Sequence, residues 1–210
     1  MEVLESLSMM FKILPMQTTL KNIIKHITIV LFCFAFFLFP NLSTAQTAEE
    51  REGKIKAATL YYIARFTHWP TGYFNTENKQ LTTCVLGEDT INKFLETNLS
   101  GKDINGNIAT IKFIDKDISI SSSAELLKQC AILYVGRNLT FDMIEILKNA
   151  QHTHTLTIGI DPNFTKSEGM VYFGKDANKI QLTINIRNTR RASLVISSDI
   201  LELAQIDGPS

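Results

Sequence analysis

Apolar segments of two kinds alternate along the chain after residue 46, and this alternation predicts an α/β domain. Residues 47–68 carry apolar side chains at helical spacing after an acidic first turn, so we expect a helix that ends before Pro70. Residues 131–135 form a continuous apolar run closed by Gly136, which is typical of a strand buried on both faces. Further strands are predicted at residues 81–86, 108–114 and 155–160, and further helices near residues 88–98, from residue 121, and at 141–150 after a Thr140 cap.

The pattern changes toward the C-terminus, where strands no longer alternate with helices. Residues 170–173 and 180–186 are predicted strands, and the loop 175–179 between them is too short for a helix. Residues 187–195 and 198–204 are then predicted as two short closing helices. We therefore expect a single α/β domain. Its twisted sheet is mostly parallel with an antiparallel C-terminal hairpin, and helices cover both faces.

An export leader precedes this domain. Residues 27–39 are uninterruptedly apolar, follow Lys21 and Lys25, and lead to small residues at Ser43 and Ala45. This arrangement predicts a signal peptide over residues 1–45 that is cleaved after Ala45, with residues 46–210 as the mature domain. A retained anchor is the alternative, but as a helix the run would rise only about 20 Å, short of a hydrocarbon core of roughly 30 Å.

Charge and composition of residues 46–210 exclude one class of partner. Removing the leader leaves 18 basic and 19 acidic residues, a net charge of −1, so we expect no nucleic-acid partner. No second apolar run approaches membrane-spanning length, and we expect no membrane span after processing. The localisation predicted from the leader is the periplasm.

Two cysteines, Cys84 and Cys130, remain in the mature chain. An oxidising compartment favours a disulfide between them, and two buried thiols that never meet are the alternative. The chain has no CxxC motif, which argues against a redox-active pair.

The sequence contains no nucleophile elbow, Walker lysine loop, zincin motif or dinucleotide fingerprint. His152 and His154 would share one face of an extended segment, but no further metal ligand is evident. We predict a protein that is not an enzyme and holds no metal or cofactor. Gly87 and Gly136 follow predicted strands, where open α/β sheets bind ligands, although glycine is also an ordinary way to end a strand.

Two polar segments are candidates for ligand or partner binding. Arg65 and Trp69 stand where the first helix ends, and the alternative role of Trp69 is an aromatic plug over the sheet. Arg187, Arg190 and Arg191 lie within one turn of a predicted helix, where like charges repel unless an anion or carboxylates compensate them. A solvated basic face is the alternative for the three arginines.

These segments together resemble the YfiR-like family of exported proteins. Residues 56–70 (KAATLYYIARFTHWP) are similar to the family's opening signature, and weaker matches follow in family order over the rest of the mature chain. They lie at residues 84–87, 101–102, 105–106, 130–135, 169–171, 184–186, 191–198 and 200–204.

The resemblance implies a periplasmic regulator. Family members tend to form homodimers and bind the periplasmic sensor part of an inner-membrane diguanylate cyclase, and so repress cyclic-di-GMP synthesis until envelope or redox stress releases them. The family also pairs cysteines at positions that match Cys84 and Cys130. The type member's second cysteine pair has no counterpart, because no cysteine follows Cys130, so redox control through that pair is not implied.

Two functions are therefore under consideration. The first is a periplasmic protein that represses a diguanylate cyclase or a related envelope sensor. The second is a periplasmic small-ligand-binding protein that uses an arginine-lined crevice at the strand ends, which loss of binding on Arg187→Ala and Arg191→Ala would support.

Overall fold

A computed structural model describes residue 25 and residues 47–74, 79–114, 125–139, 143–176 and 179–208. Residues Gln46–Ser210 form one compact unit. The helices are α1 (Ala48–Arg65), α2 (Asn92–Asn98), α3 (Met143–His152), α4 (Ile186–Arg191) and α5 (Ser198–Leu201). The strands are β1 (Thr67–His68), β2 (Gln80–Leu86), β3 (Asp103–Ile104), β4 (Asn107–Ile114), β5 (Ile132–Val135), β6 (Leu156–Gly159), β7 (Val171–Asp176), β8 (Lys179–Asn185), β9 (Val195–Ile196) and β10 (Ala204–Asp207).

The main sheet is mixed and mostly parallel, as predicted. Its strand order is β10-β8-β7-β6-β5-β2-β4-β3, and β4, β2, β5, β6 and β7 run parallel to one another. The predicted hairpin is present as the antiparallel pair β7–β8. The two residues of β3 pair antiparallel with β4 at the far edge.

Helices cover both faces of this sheet, and alternating side chains of the central strands show it. In β2, Leu81 and Val85 enter the core beneath α1 and α2, whereas Cys84 and Leu86 enter the core beneath α3. In β5 the same alternation sends Tyr134 to the first core and Leu133 to the second. Strands with apolar residues on both faces are the signature of a sheet buried between two helical layers.

The first helix follows from its sequence. The Thr47 hydroxyl accepts a hydrogen bond from the Glu50 amide (3.2 Å), which satisfies a free donor of the first turn. The apolar face buries Leu60 and Ile63, among others, against the sheet. The helix ends at Arg65, three residues before the predicted end, because Thr67 and His68 extend to pair with β9.

The C-terminal segment differs from its prediction. The helix predicted over residues 187–195 ends at Arg191, since Ser193 adopts a positive φ of 57° that breaks the helical path. The helix predicted over residues 198–204 ends at Leu201 and is followed by β10, which pairs in parallel with β8. The hairpin therefore lies inside the sheet, and β10 forms the edge.

Some predictions fall outside the described residues. The leader lies there except for Lys25, as do the capping segment at residues 121–124 and the Thr140 cap with the two residues after it. Within the described helices, none combines the length and apolar character needed to cross a membrane.

Candidate functional site

The two segments singled out from the sequence meet in a two-stranded ladder. Antiparallel pairing of β1 with β9 places Thr67 opposite Ile196 and His68 opposite Val195. The Ser197 amide extends the contact by donating to the Phe66 carbonyl (2.9 Å). Thus the exit of α1, which carries Arg65 and Trp69, lies beside the segment that follows the arginines of α4.

One face of the ladder is exposed. Thr67 and Ile196 are buried, whereas His68 is exposed and Val195 has 61% of its surface accessible. On the last turns of α1, Tyr62 is 54% exposed and Arg65 is exposed as well. We call Tyr62, Arg65, His68 and Val195 the exit surface, because they surround the point where the chain leaves α1.

Aromatic and cationic groups hold this end of α1. The Arg65 guanidinium donates to the Tyr61 hydroxyl (3.2 Å), and the Lys102 ammonium lies 5.0 Å from the centroid of the same ring. The Asn105 side-chain amide donates to the Arg65 carbonyl (2.8 Å), which caps the helix end. These contacts fix the base of the exit surface while leaving Tyr62 exposed.

Trp69 packs as an aromatic plug. Its ring stacks on Tyr73 (centroids 6.3 Å apart) and meets Phe74 edge-on (5.5 Å). Its indole nitrogen is buried and has no hydrogen-bond partner among the residues that the structure describes. The Tyr73 hydroxyl donates to the Cys130 carbonyl (3.2 Å), and burial raises the pKa of Tyr73 to about 12. The contacts of Trp69 therefore match the structural alternative considered from the sequence.

The arginines of α4 have different surroundings. The Arg191 guanidinium lies 3.2 Å from a Glu168 carboxylate oxygen, which also accepts a hydrogen bond from Gln151 (3.0 Å). Arg187 and Arg190 are exposed. A carboxylate thus compensates part of the like charge on this short helix, one of the possibilities raised by its sequence.

Gly87 and Gly136, at the ends of β2 and β5, allow two backbone segments to approach closely. Beyond β2 and β5, Glu88 and Arg137 exchange backbone hydrogen bonds (3.1 and 2.9 Å). A Cβ at Gly87 would lie 2.5 Å from the Arg137 carbonyl oxygen, and one at Gly136 would lie 2.7 Å from that of Glu88. The helix after β2 and the helix after β5 lie on opposite faces of the sheet, which makes the gap between these two strands the topological switch point. The backbone bridge occupies this gap, where the sequence suggested a possible ligand site.

A cavity of about 890 Å³ opens one strand further along, at the carboxyl ends of β5 and β6. Arg137 is the arginine in its lining, whereas Arg187, Arg190 and Arg191 lie on α4. The crevice and the predicted arginines are therefore at separate places. The sequence did contain a signal for Arg137, which directly follows Gly136 at the end of a predicted strand.

A buried ionic cluster was missed by the sequence reasoning. Lys56 points into the core side of α1, and its ammonium lies 2.8 Å from Glu52 and 2.8 Å from Asp89 in the loop after β2. Lys175 of β7 reaches the other oxygen of Glu52 (2.8 Å). Burial, then the negative charges of Asp89 and Glu52, raise the pKa of the neighbouring Tyr134, which keeps its hydroxyl protonated. The sequence did contain a signal for this cluster, because Lys56 lies on the apolar face of a predicted helix.

The cysteine pairing is confirmed. Cys84 of β2 is bonded to Cys130, with 5.6 Å between the two Cα atoms, and both residues are fully buried. His154, considered as a metal ligand, instead hydrogen-bonds through Nδ1 to the Ala192 carbonyl (2.8 Å). Within the described ranges there is no group of three or more side chains suited to a metal ion.

Comparison with known proteins gives one family and several distant structures. A sequence model of the family described as YfiR/HmsC-like matches residues 53–205. No curated protein matches the chain. A conserved domain protein from Vibrio cholerae has 10% identity and a TM-score of 0.44, with 61% of this chain and 54% of that chain covered. The ABC domain from Streptococcus pneumonia, solved in complex with L-Trp, has 11% identity and a TM-score of 0.46, with 76% and 60% covered.

The chain thus spans 54% and 60% of the lengths of those two structures. TM-scores below 0.5 establish no shared function for either.

Proposed function

The chain belongs to the YfiR/HmsC-like family, and from that premise we propose that it is a periplasmic regulator that represses the sensor part of an inner-membrane diguanylate cyclase. The match spans residues 53–205, which is nearly all of the compact unit that begins at Gln46. The family is one of periplasmic regulators acting on a membrane protein, rather than of enzymes. The cyclase as partner, and lower cyclic-di-GMP as outcome, are the specific content of the proposal.

The exposure of apolar and cationic side chains on the exit surface is the observation that supports a protein partner. Tyr62 and Val195 expose apolar area. Arg65 lies on α1 one turn after Tyr62, and the Lys102 ammonium lies over the ring of Tyr61. Protein interfaces are enriched in tyrosine and arginine, with apolar centres and polar rims. A partner patch with exposed apolar groups and carboxylates would complement this surface.

Repression would follow from linkage between binding and conformation. A regulator that binds the inactive state of a sensor more tightly than the active state shifts the sensor toward inactivity. Such a shift requires a difference in affinity between the two states, and a tenfold ratio corresponds to about 1.4 kcal/mol. A stimulus that releases the sensor from repression would then remove the difference in affinity between its two states.

Capture of the partner tests the proposal. We expect the protein, cross-linked in the native envelope and then purified, to recover an inner-membrane cyclase, and deletion of the protein to raise cyclic-di-GMP. Val195→Glu should abolish the capture and raise cyclic-di-GMP as the deletion does. Leu203→Glu is the matched control, because Leu203 is also an exposed apolar residue (77%) but lies outside the exit surface. Recovery of no sensor, together with unchanged cyclic-di-GMP, would contradict the proposal.

The family resemblance also favours a homodimer, and a second copy of the chain is the other candidate to bind the exit surface. The oligomeric state of wild type and Val195→Glu, measured by sedimentation, distinguishes sensor binding from homodimer formation at this surface. A variant that stays dimeric yet fails to capture the sensor places the partner on this surface. A variant that becomes monomeric places the second copy there.

A further inference from the structure

The cavity at the carboxyl ends of β5 and β6 has an apolar floor. Val135, Leu147 and Phe164 belong to the buried core beneath α3, and Leu139 and Met143 pack against that core. All five residues line the cavity, whose volume is about 890 Å³. Ligand pockets of proteins span roughly 300–1,000 Å³ and are mostly apolar, so this cavity has the size and lining of a small-molecule site.

The walls of the cavity are held by local hydrogen bonds. On one side, the Asp161 carboxylate accepts from the Asn163 amide (2.7 Å), and the Asp161 carbonyl accepts from the Phe164 amide (2.9 Å). On the other side, the backbone bridge between Glu88 and Arg137 fixes the loop after β5. A site whose walls are already ordered loses little conformational entropy when a ligand binds.

Two charged groups line this cavity, the Arg137 guanidinium and the Asp161 carboxylate. Arg137 is exposed and lines the cavity, and its guanidinium makes no hydrogen bond or ion pair within the described part of the chain. Asp161 accepts a hydrogen bond within its own turn (2.7 Å). Arg137 also lines a second crevice with Glu88, whose carboxylate accepts from the Asn138 side chain (3.0 Å). A planar guanidinium pairs best with a carboxylate, to which it can donate two parallel hydrogen bonds.

We propose that this cavity binds an amphipathic carboxylate, with the apolar tail on the floor formed by Leu147 and Phe164 and the carboxylate paired with Arg137. A single guanidinium with the Asp161 carboxylate in the same lining can compensate at most one negative charge, which favours a carboxylate over a dianionic phosphate head group. The site would give the protein a small-molecule input. It does not depend on the identity of the membrane partner, because none of its residues belongs to the exit surface.

Titration calorimetry with decanoate and with the uncharged decanol tests this site on protein purified from cells that express the full chain. We expect saturable decanoate binding to wild type and about tenfold weaker binding to Arg137→Gln, which corresponds to about 1.4 kcal/mol for a charge-assisted hydrogen bond of an exposed guanidinium. Decanol should bind both proteins alike, and Arg137→Lys should recover part of the decanoate affinity. Arg51→Gln is the matched control, because Arg51 is an exposed arginine on α1 outside the cavity.

A second variant addresses the apolar wall. Ile144 lines the cavity and is 42% exposed, so Ile144→Glu should fold normally and weaken decanoate binding by placing a like charge at the entrance. Equal decanoate affinity for wild type and Arg137→Gln, or no saturable binding at millimolar decanoate, would overturn the proposal. Capture of the membrane sensor by Arg137→Gln should be unchanged, so failure of this site and failure of the proposed function are distinguishable.

Discussion

Lys56 shows how one side chain joins two parts of the fold. Its ammonium contacts Glu52 and Asp89, and only 4% of its side chain is exposed. Lys56→Met would leave the buried Asp89 carboxylate without a cation and Glu52 with Lys175 alone, so we expect the free energy of unfolding to fall by about 3–5 kcal/mol. Lys175→Met is the matched control. Because the Lys175 side chain is 61% exposed, its loss should cost at most about 1 kcal/mol. Equal losses in urea unfolding would contradict this assignment.

Glu52 makes the stability of the same cluster depend on pH. Burial raises its pKa, but hydrogen bonds from Lys175 and Lys56 and their positive charges outweigh burial, so the pKa lies below its ordinary value of 4.5. A carboxyl whose pKa is lowered on folding stabilises the protein above the ordinary value, and this contribution disappears as the pH falls through the folded pKa.

We therefore expect Glu52→Gln to be less stable than wild type at neutral pH, with the difference closing as the pH falls below 4.5. Urea midpoints of both proteins across that range measure it. A difference that stays constant with pH would show that the carboxylate charge is not what stabilises the cluster.

At the level of elements, the long periodic segments were predictable and the short ones were not. The hydrophobic pattern located the ends of β2, β5 and β6 to within a residue or two, because a strand that is buried on both faces needs a continuous run of apolar residues. Two-residue strands such as β1 and β9 have no period of their own and form only because the fold brings them together. Ala204, the first residue of β10, was assigned to a helix, and residues 205–207 were assigned to no element, because the pairing of β10 with β8 is a tertiary contact.

The disulfide ties β2 to the residue just before the neighbouring strand β5. The two cysteines are separated by 46 positions, and closing a loop of that length restricts the unfolded chain by about 4 kcal/mol in the entropic account. We expect the processed protein to show no free thiol under denaturing conditions. The double variant Cys84→Ser/Cys130→Ser should lose about 2–5 kcal/mol of stability, as should reduced wild type. Two titratable thiols in freshly purified protein would contradict the bond.

At the scale of the whole molecule, the sequence located the candidate segments but not their contacts. Arg65 and Trp69 stood out by composition, yet nothing local could show that Val195 pairs beside them, because that contact joins distant parts of the chain. A ligand crevice was considered at Gly87 and Gly136, and the cavity lies one strand further along. No role was assigned to Arg137 from the sequence, because the three arginines of α4 drew attention by their number.

The location of the whole protein decides whether it can act as proposed. A periplasmic regulator can change the level of a cytoplasmic product only through a protein that crosses the membrane. We therefore expect residues 1–45 to be required for export but not for folding of the mature domain. We expect the exported protein to begin at Gln46, which N-terminal mass spectrometry checks. Residues 46–210 behind an unrelated cleavable leader should restore low cyclic-di-GMP in a deletion strain as well as the full chain does. The same residues expressed without any leader should not restore it, although after purification and oxidation of the Cys84–Cys130 pair they should have the same free energy of unfolding. Repression by that cytoplasmic form would mean that the domain acts on the cytoplasmic side, and the periplasmic mechanism would have to be abandoned.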